Sequence, residues 1–134
     1  MEERQISIGL LSRAGHVPAR SGLNWGQRPG RNGNEAYLAV PLQHARTGFF
    51  PDIGTPFHVL TDSGLTLLLV RCQQQGKALQ SLPRNSILGL YFRERLGVTS
   101  GMQITSSHLL AYGRTDVTMT RVSDTEFALD FGVR

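Results

Sequence analysis

Cysteine occurs once, at Cys72, which excludes an internal disulfide framework and a four-thiolate zinc site. A reducing, cytoplasmic home is the expectation. No apolar run approaches the roughly 18 residues of a membrane span. The longest aliphatic stretch, Leu67–Val70, has the length of a strand. The opening MEERQISIGLLSR carries acids and has no small-residue cleavage site, so it does not read as a signal peptide. Aromatic residues make up 7% of the chain, and most sit in apolar patterns. A single-strand or RNA-binding barrel would need an exposed stacking platform, which so few rings do not supply.

The marks of catalysis are missing as well. Lysine occurs once, as Lys77. No acid stands two positions before it, which removes the Asp/Glu-x-Lys half-site common in nucleases, and Gln75 removes the His-x-Lys alternative. There is no Gly-x-Ser-x-Gly elbow, no P-loop and no Gly-x-Gly-x-x-Gly. His16, His44, His58 and His108 are scattered, and none lies four residues from another. An enzyme built on His16, His44 or Asp116 therefore has no convergent constellation. Cys72 lies inside a strand pattern, where a buried thiol is inert. The chain is expected to be no enzyme by itself, with no catalytic residue, no metal site and no cofactor.

What is present is arginine. The 134 residues suit one domain spanning 1–134, and 40% are hydrophobic, enough for one core. Net charge is +4 and the sequence pI is about 10. All 14 basic residues except Lys77 are arginine, whose rigid fork matches phosphate and guanine edges. A GC-rich genome gives the same ratio, so position says more than type. No acid occurs between Glu3 and Glu35, a window holding Arg4, Arg13, Arg20, Arg28 and Arg31. A second acid-free window, between Asp62 and Glu94, holds Arg71, Lys77, Arg84 and Arg93. From Thr115 to Phe131 the balance reverses, with Asp116, Asp124, Glu126 and Asp130 against Arg121 alone. Such a polarised surface steers polyanions.

Strand signals dominate. Residues 6–13, 35–41, 56–62, 65–73, 103–113, 116–121 and 126–131 read as strands, the last with clean alternation of Phe127, Leu129 and Phe131. Residues 42–50 suggest a short helix followed by the core candidates Phe49 and Phe50. Residues 85–96 are the best helix: Asn85 or Ser86 can cap it, Ile87, Leu88, Tyr91, Phe92 and Leu96 form its stripe, and Gly97 sits at its end. Gly89 weakens that helix by about 1 kcal/mol against alanine. With no βαβ alternation, the expectation is a mainly β chain, an antiparallel barrel or pseudobarrel of about seven strands with one or two short helices.

Two segments stand outside this pattern. Residues 14–34 are dense in Gly, Pro, Asn and Arg and form a loop of a length that is usually functional. Within it, Arg20, Ser21, Asn24, Gln27, Arg28, Arg31, Asn32 and Asn34 are the side chains that major-groove readout uses. Trp25 either anchors the loop base or packs on a sugar-phosphate. Residues 71–80 form a polar hairpin in which Arg71, Gln73, Gln74, Gln75 and Lys77 crowd the Gly76 turn. Arg13, Arg20, Arg31, Arg84 and Arg114 are candidate phosphate contacts, while Asn24, Gln27, Arg28 and residues 73–77 are candidate base readers.

The stretches SGLNWGQR and GRNGNEAYLAVP (within 21–41), GFFP (48–51), RCQQQGKALQ (71–80), NSILGLYFRERLGV (85–98), YGRTDV (112–117) and DF (130–131) resemble the C-terminal DNA-recognition domain of NgoAVII-type restriction endonucleases. That domain is similar in fold to the plant B-three transcription-factor domain and to the EcoRII effector domain. The resemblance implies a seven-stranded pseudobarrel with two short helices, and a wrench-like grip on duplex DNA. An N-arm (about 14–34) and a C-arm (about 71–80) would enter the major groove at a short specific site. It further implies a bacterial restriction-modification system and a parent hydrolase, a type II restriction endonuclease with a separate phospholipase-D-like nuclease domain. A stand-alone, transcription-regulator-like DNA-binding domain is the alternative that the sequence leaves open.

Overall fold

The computed structural model describes residues 4–72 and 76–133. Seven strands form where β-branched and aliphatic residues alternate with polar ones: β1 (Gln5–Gly9), β2 (Leu38–Ala39), β3 (Phe57–Thr61), β4 (Thr66–Cys72), β5 (Ala78–Ser81), β6 (Asp116–Arg121) and β7 (Glu126–Asp130). Side chains alternate across a strand, so β3 and β7 send Phe57, Val59, Phe127 and Leu129 inward and leave His58 and Glu126 outside. The strands make one sheet in the order β1-β6-β7-β3-β4-β5-β2, nearly closed into a barrel. Every pairing is antiparallel except β3 with β7, where Val59 faces Phe127 in parallel register. The barrel stays open between its edge strands β1 and β2. A mostly apolar cleft of about 170 Å³ lies there, lined by Leu10, Pro18, Leu23, Tyr37 and Leu38 among others.

The core fills the barrel. Phe49, Phe50, Phe57 and Phe127 meet at ring separations of 4.9–5.8 Å. Phe92, Phe131, Tyr91 and Tyr112 form a second aromatic group against helix α2 (Ser86–Leu96). Each buried phenylalanine contributes about 1.5–3 kcal/mol relative to exposure. Three α-helices are present among the described residues: α1 (Leu42–Ala45), α2, and α3 (Ser106–Tyr112). None is long and apolar enough to cross a membrane.

The strand expected over 103–113 is corrected by α3. Thr105 starts this helix, its backbone N–H donating to His108 Nδ1 at 2.9 Å, and Gly113 ends it at φ +102°. The reciprocal bond of a helix-opening box outweighed the apolar run Leu109–Leu110. Helix α2 also departs in one detail. Asn85 makes no side-chain cap, and the amide of Leu88 donates instead to Ser81 Oγ at 2.9 Å, whose hydroxyl bonds Arg84 O at 2.7 Å. One orphan donor of the first turn is thus met from strand β5. Gly97 closes α2 at φ +72°.

Candidate nucleic-acid interface

The long loop 14–34 is built rather than floppy. A 3-10 helix, Gly22–Gln27, interrupts it. Its amide side chains turn inward. Asn24 is fully buried, donating to Pro18 O (2.8 Å) and Ile104 O (2.7 Å) and accepting from Ile104 N (2.8 Å). Gln27 Nε2 bridges Gly33 O and Gly101 O. Asn34 Nδ2 donates to Ser100 Oγ, and its Oδ1 accepts from Gly101 N at 2.6 Å. Beneath them Arg93, fully buried and with no acidic partner among the described residues, donates to Met102 O, Gly89 O and Leu23 O. Burial lowers the basicity of that guanidinium, yet arginine remains charged. Three pieces of chain are tied together there: the loop, the 100–104 segment and α2.

Close backbone approach completes the seat. A Cβ on Gly89 of α2 would lie 1.7 Å from Asn34 O, and one on Gly33 would lie 2.6 Å from Gly101 O. The glycine that weakens α2 in isolation is there because the loop backbone rests on it.

With the amides turned in, the cations face out. Arg13, Arg20, Arg28 and Arg31 are exposed. Arg28 Nε donates to Arg20 O at 2.9 Å, which leaves the rest of its fork outward. Arg31 stacks over Trp25 at 4.1 Å and contacts Glu35 at 3.4 Å. Trp25 is half-buried and meets Tyr37 edge-on at 5.5 Å, so it anchors the loop base while presenting a face to Arg31. Ser21 is half-buried at the mouth of the β1–β2 cleft. Asn32 is exposed, and its Oδ1 accepts from Asn34 N.

Lys77 lies at the other end of the same ladder. The chain leaving the loop runs antiparallel to β5: Ala36 N bonds Asn85 O, Leu38 faces Leu79, Ala39 faces Ala78, and Val40 N bonds Lys77 O. Lys77 is exposed at the start of β5 and Arg84 just beyond its end. From Ala36 to Val40 the ladder spans about 13 Å at 3.3 Å per residue. Among the described residues, Arg13, Arg20, Arg28, Lys77 and Arg84 have no acidic partner.

Several expected contacts are spent within the fold. Besides Asn24, Gln27 and Asn34, Arg71 is buried, donating to Pro51 O and Ala45 O under the Gly76 turn. Arg114 is held by Asp116 (2.9 Å), Asp130 (3.3 Å) and Thr118 Oγ1 (2.7 Å). Gln73, Gln74 and Gln75 lie outside the described residues. Sequence reasoning missed a polar groove of about 380 Å³ between Asn32, Glu35, Gln80 and the 81–86 turn. No local signal marks it, because the strand pairing brings its two walls together. No group of three or more His, Cys, Asp or Glu residues is placed to hold a metal ion among the described residues.

A family model described as the NgoFVII C-terminal B3-like DNA-binding domain matches residues 1–123. Among curated proteins none matches this sequence. A solved structure of a hypothetical Arabidopsis thaliana protein is similar over 93% of this chain and 85% of that one, at 12% identity and a TM-score of 0.43.

Proposed function

The chain belongs to the family of NgoFVII C-terminal B3-like DNA-binding domains, and from that premise we propose that it recognises a short specific site in double-stranded DNA for a restriction endonuclease. The 14–34 loop and the 71–80 hairpin act as N-arm and C-arm in one major groove, and a separate domain of the parent enzyme cuts. The observation that carries this reading is the pair of outward cationic groups at the two ends of the β2–β5 ladder, Arg20, Arg28 and Arg31 on one side and Lys77 on the other. The ladder between Ala36 and Val40 is about 13 Å long from the strand rise, against a major groove about 12 Å wide. Arg28 and Asn32 carry the free donors for bases, and Arg13, Arg20 and Arg84 those for phosphates.

The testing experiment is a binding selection from random duplexes at moderate salt, followed by competition with single strands of the selected sequence. The expected result is one short enriched site, bound as duplex far better than as single strand. Equal binding to all duplexes, or preference for the single strand, would refute the reading.

A further inference from the structure

Glu35 is out of place on this surface. It is the first acid after Glu3, and it sits among exposed arginines where a carboxylate repels phosphates. Its backbone does the structural work, the N–H donating to Asn32 O at 3.0 Å and the carbonyl accepting from Gly26 N at 2.8 Å. The carboxylate lines the polar groove with Asn32, Gln80 and Arg84. One oxygen, Oε1, contacts Arg31, which is itself stacked on Trp25, so the carboxylate is held by a preorganised partner. The other oxygen has no partner among the described residues. A negative acceptor in a polar groove beside exposed arginines suits one major-groove feature above others, the N4 amino donor of cytosine.

Building on the duplex-recognition reading, we propose that Glu35 is a specificity-determining residue whose carboxylate accepts a hydrogen bond from the N4 amino group of a cytosine in the bound site. Arg31 is its positioning residue: it orients the carboxylate and prevents it from turning toward solvent.

The experiment compares the wild-type chain with Glu35→Gln and Arg31→Ala in the same random-duplex selection, with thermal unfolding as the check on folding. The wild type should show a position held as cytosine. Glu35→Gln should lose about tenfold preference there, bind non-cognate duplex more tightly, and leave other positions unchanged. Replacing that cytosine by N4-methylcytosine keeps the base pair but removes the donor facing the groove. It should weaken wild-type binding about tenfold and weaken Glu35→Gln, whose neutral amide oxygen is a poorer acceptor, distinctly less. A wild type that selects a site while Glu35→Gln selects the same site with the same methyl sensitivity overturns the proposal and spares the duplex reading. A wild type with no site at all overturns both. If Arg31→Ala alone relaxes the position and Glu35→Gln does not, the carboxylate is no reader and the proposal falls.

Discussion

Replacing Gly89 by alanine sets two effects of opposite sign against each other. Helix propensity alone favours the substitution by about 1 kcal/mol, because glycine loses more backbone entropy than alanine in a helix interior. Packing opposes it. The new methyl would stand 1.7 Å from Asn34 O and 2.8 Å from Asn34 C, and backbone cannot swing aside as a flexible side chain does. The loop must retreat by about 1.7 Å to reach ordinary van der Waals contact at about 3.4 Å. That retreat pulls Asn34 from Ser100 Oγ and Gly101 N, now at 2.8 and 2.6 Å. Two such bonds contribute about 0.5–1.5 kcal/mol each, and overpacking adds about 1–3 kcal/mol. Against the propensity gain, the net is destabilisation by about 3 kcal/mol. For a chain of this size it corresponds to a Tm lower by about 9 °C. Urea unfolding with an unchanged m value is the direct assay. Because Arg28 and Arg31 ride on the displaced loop, binding to the selected duplex should weaken as well. An alanine variant as stable as the wild type, or more so, would refute the claim that α2 seats the loop at Gly89.

Three further outcomes follow from the same geometry. Arg28→Ala should cost about 1–3 kcal/mol of binding and relax preference at one base pair, measured by titration against single-base variants of the site; uniform weakening on every sequence would refute base reading. Arg84→Ala should weaken binding evenly and lower the slope of log affinity against log salt by about one, and an unchanged slope in a salt titration would exclude a phosphate contact. Asp62 is held at a pKa of about 2, below the ordinary 3.8, chiefly by its hydrogen bonds from Arg95 at 2.8 Å, reinforced by the Phe131 amide. Its contribution to stability is therefore complete above about pH 4 and is lost as pH falls toward 2. Thermal scans across that window should show a steeper fall for the wild type than for Asp62→Asn; parallel curves would show that the pair does not couple to folding.

How much was legible beforehand differs from element to element. Strand β7 announced itself through Phe127, Leu129 and Phe131, because a half-buried strand writes its two faces into alternate positions. The 85–96 helix was equally plain, down to Gly97. Helix α3 was not, since Leu109 and Leu110 read as strand until the bond from Thr105 N to His108 is seen. The 14–34 and 71–80 segments were visible from their missing acids and dense polar side chains. Yet Asn24, Gln27, Asn34 and Arg71 have the chemistry of base readers and serve as internal ties.

The amino-acid sequence by itself determined the mainly β character, the places where the chain leaves the sheet and the sign of charge it carries there. These depend on residue type and near neighbours. The tertiary structure alone decided which polar side chains face out. Asn24 turns in because its partner is Ile104, Asn34 because its partners are Ser100 and Gly101, and Glu35 joins Gln80 and Arg84 only because β2 pairs with β5. A buried amide or guanidinium must find its acceptors, and here those acceptors lie up to 80 residues away, beyond the reach of any local pattern.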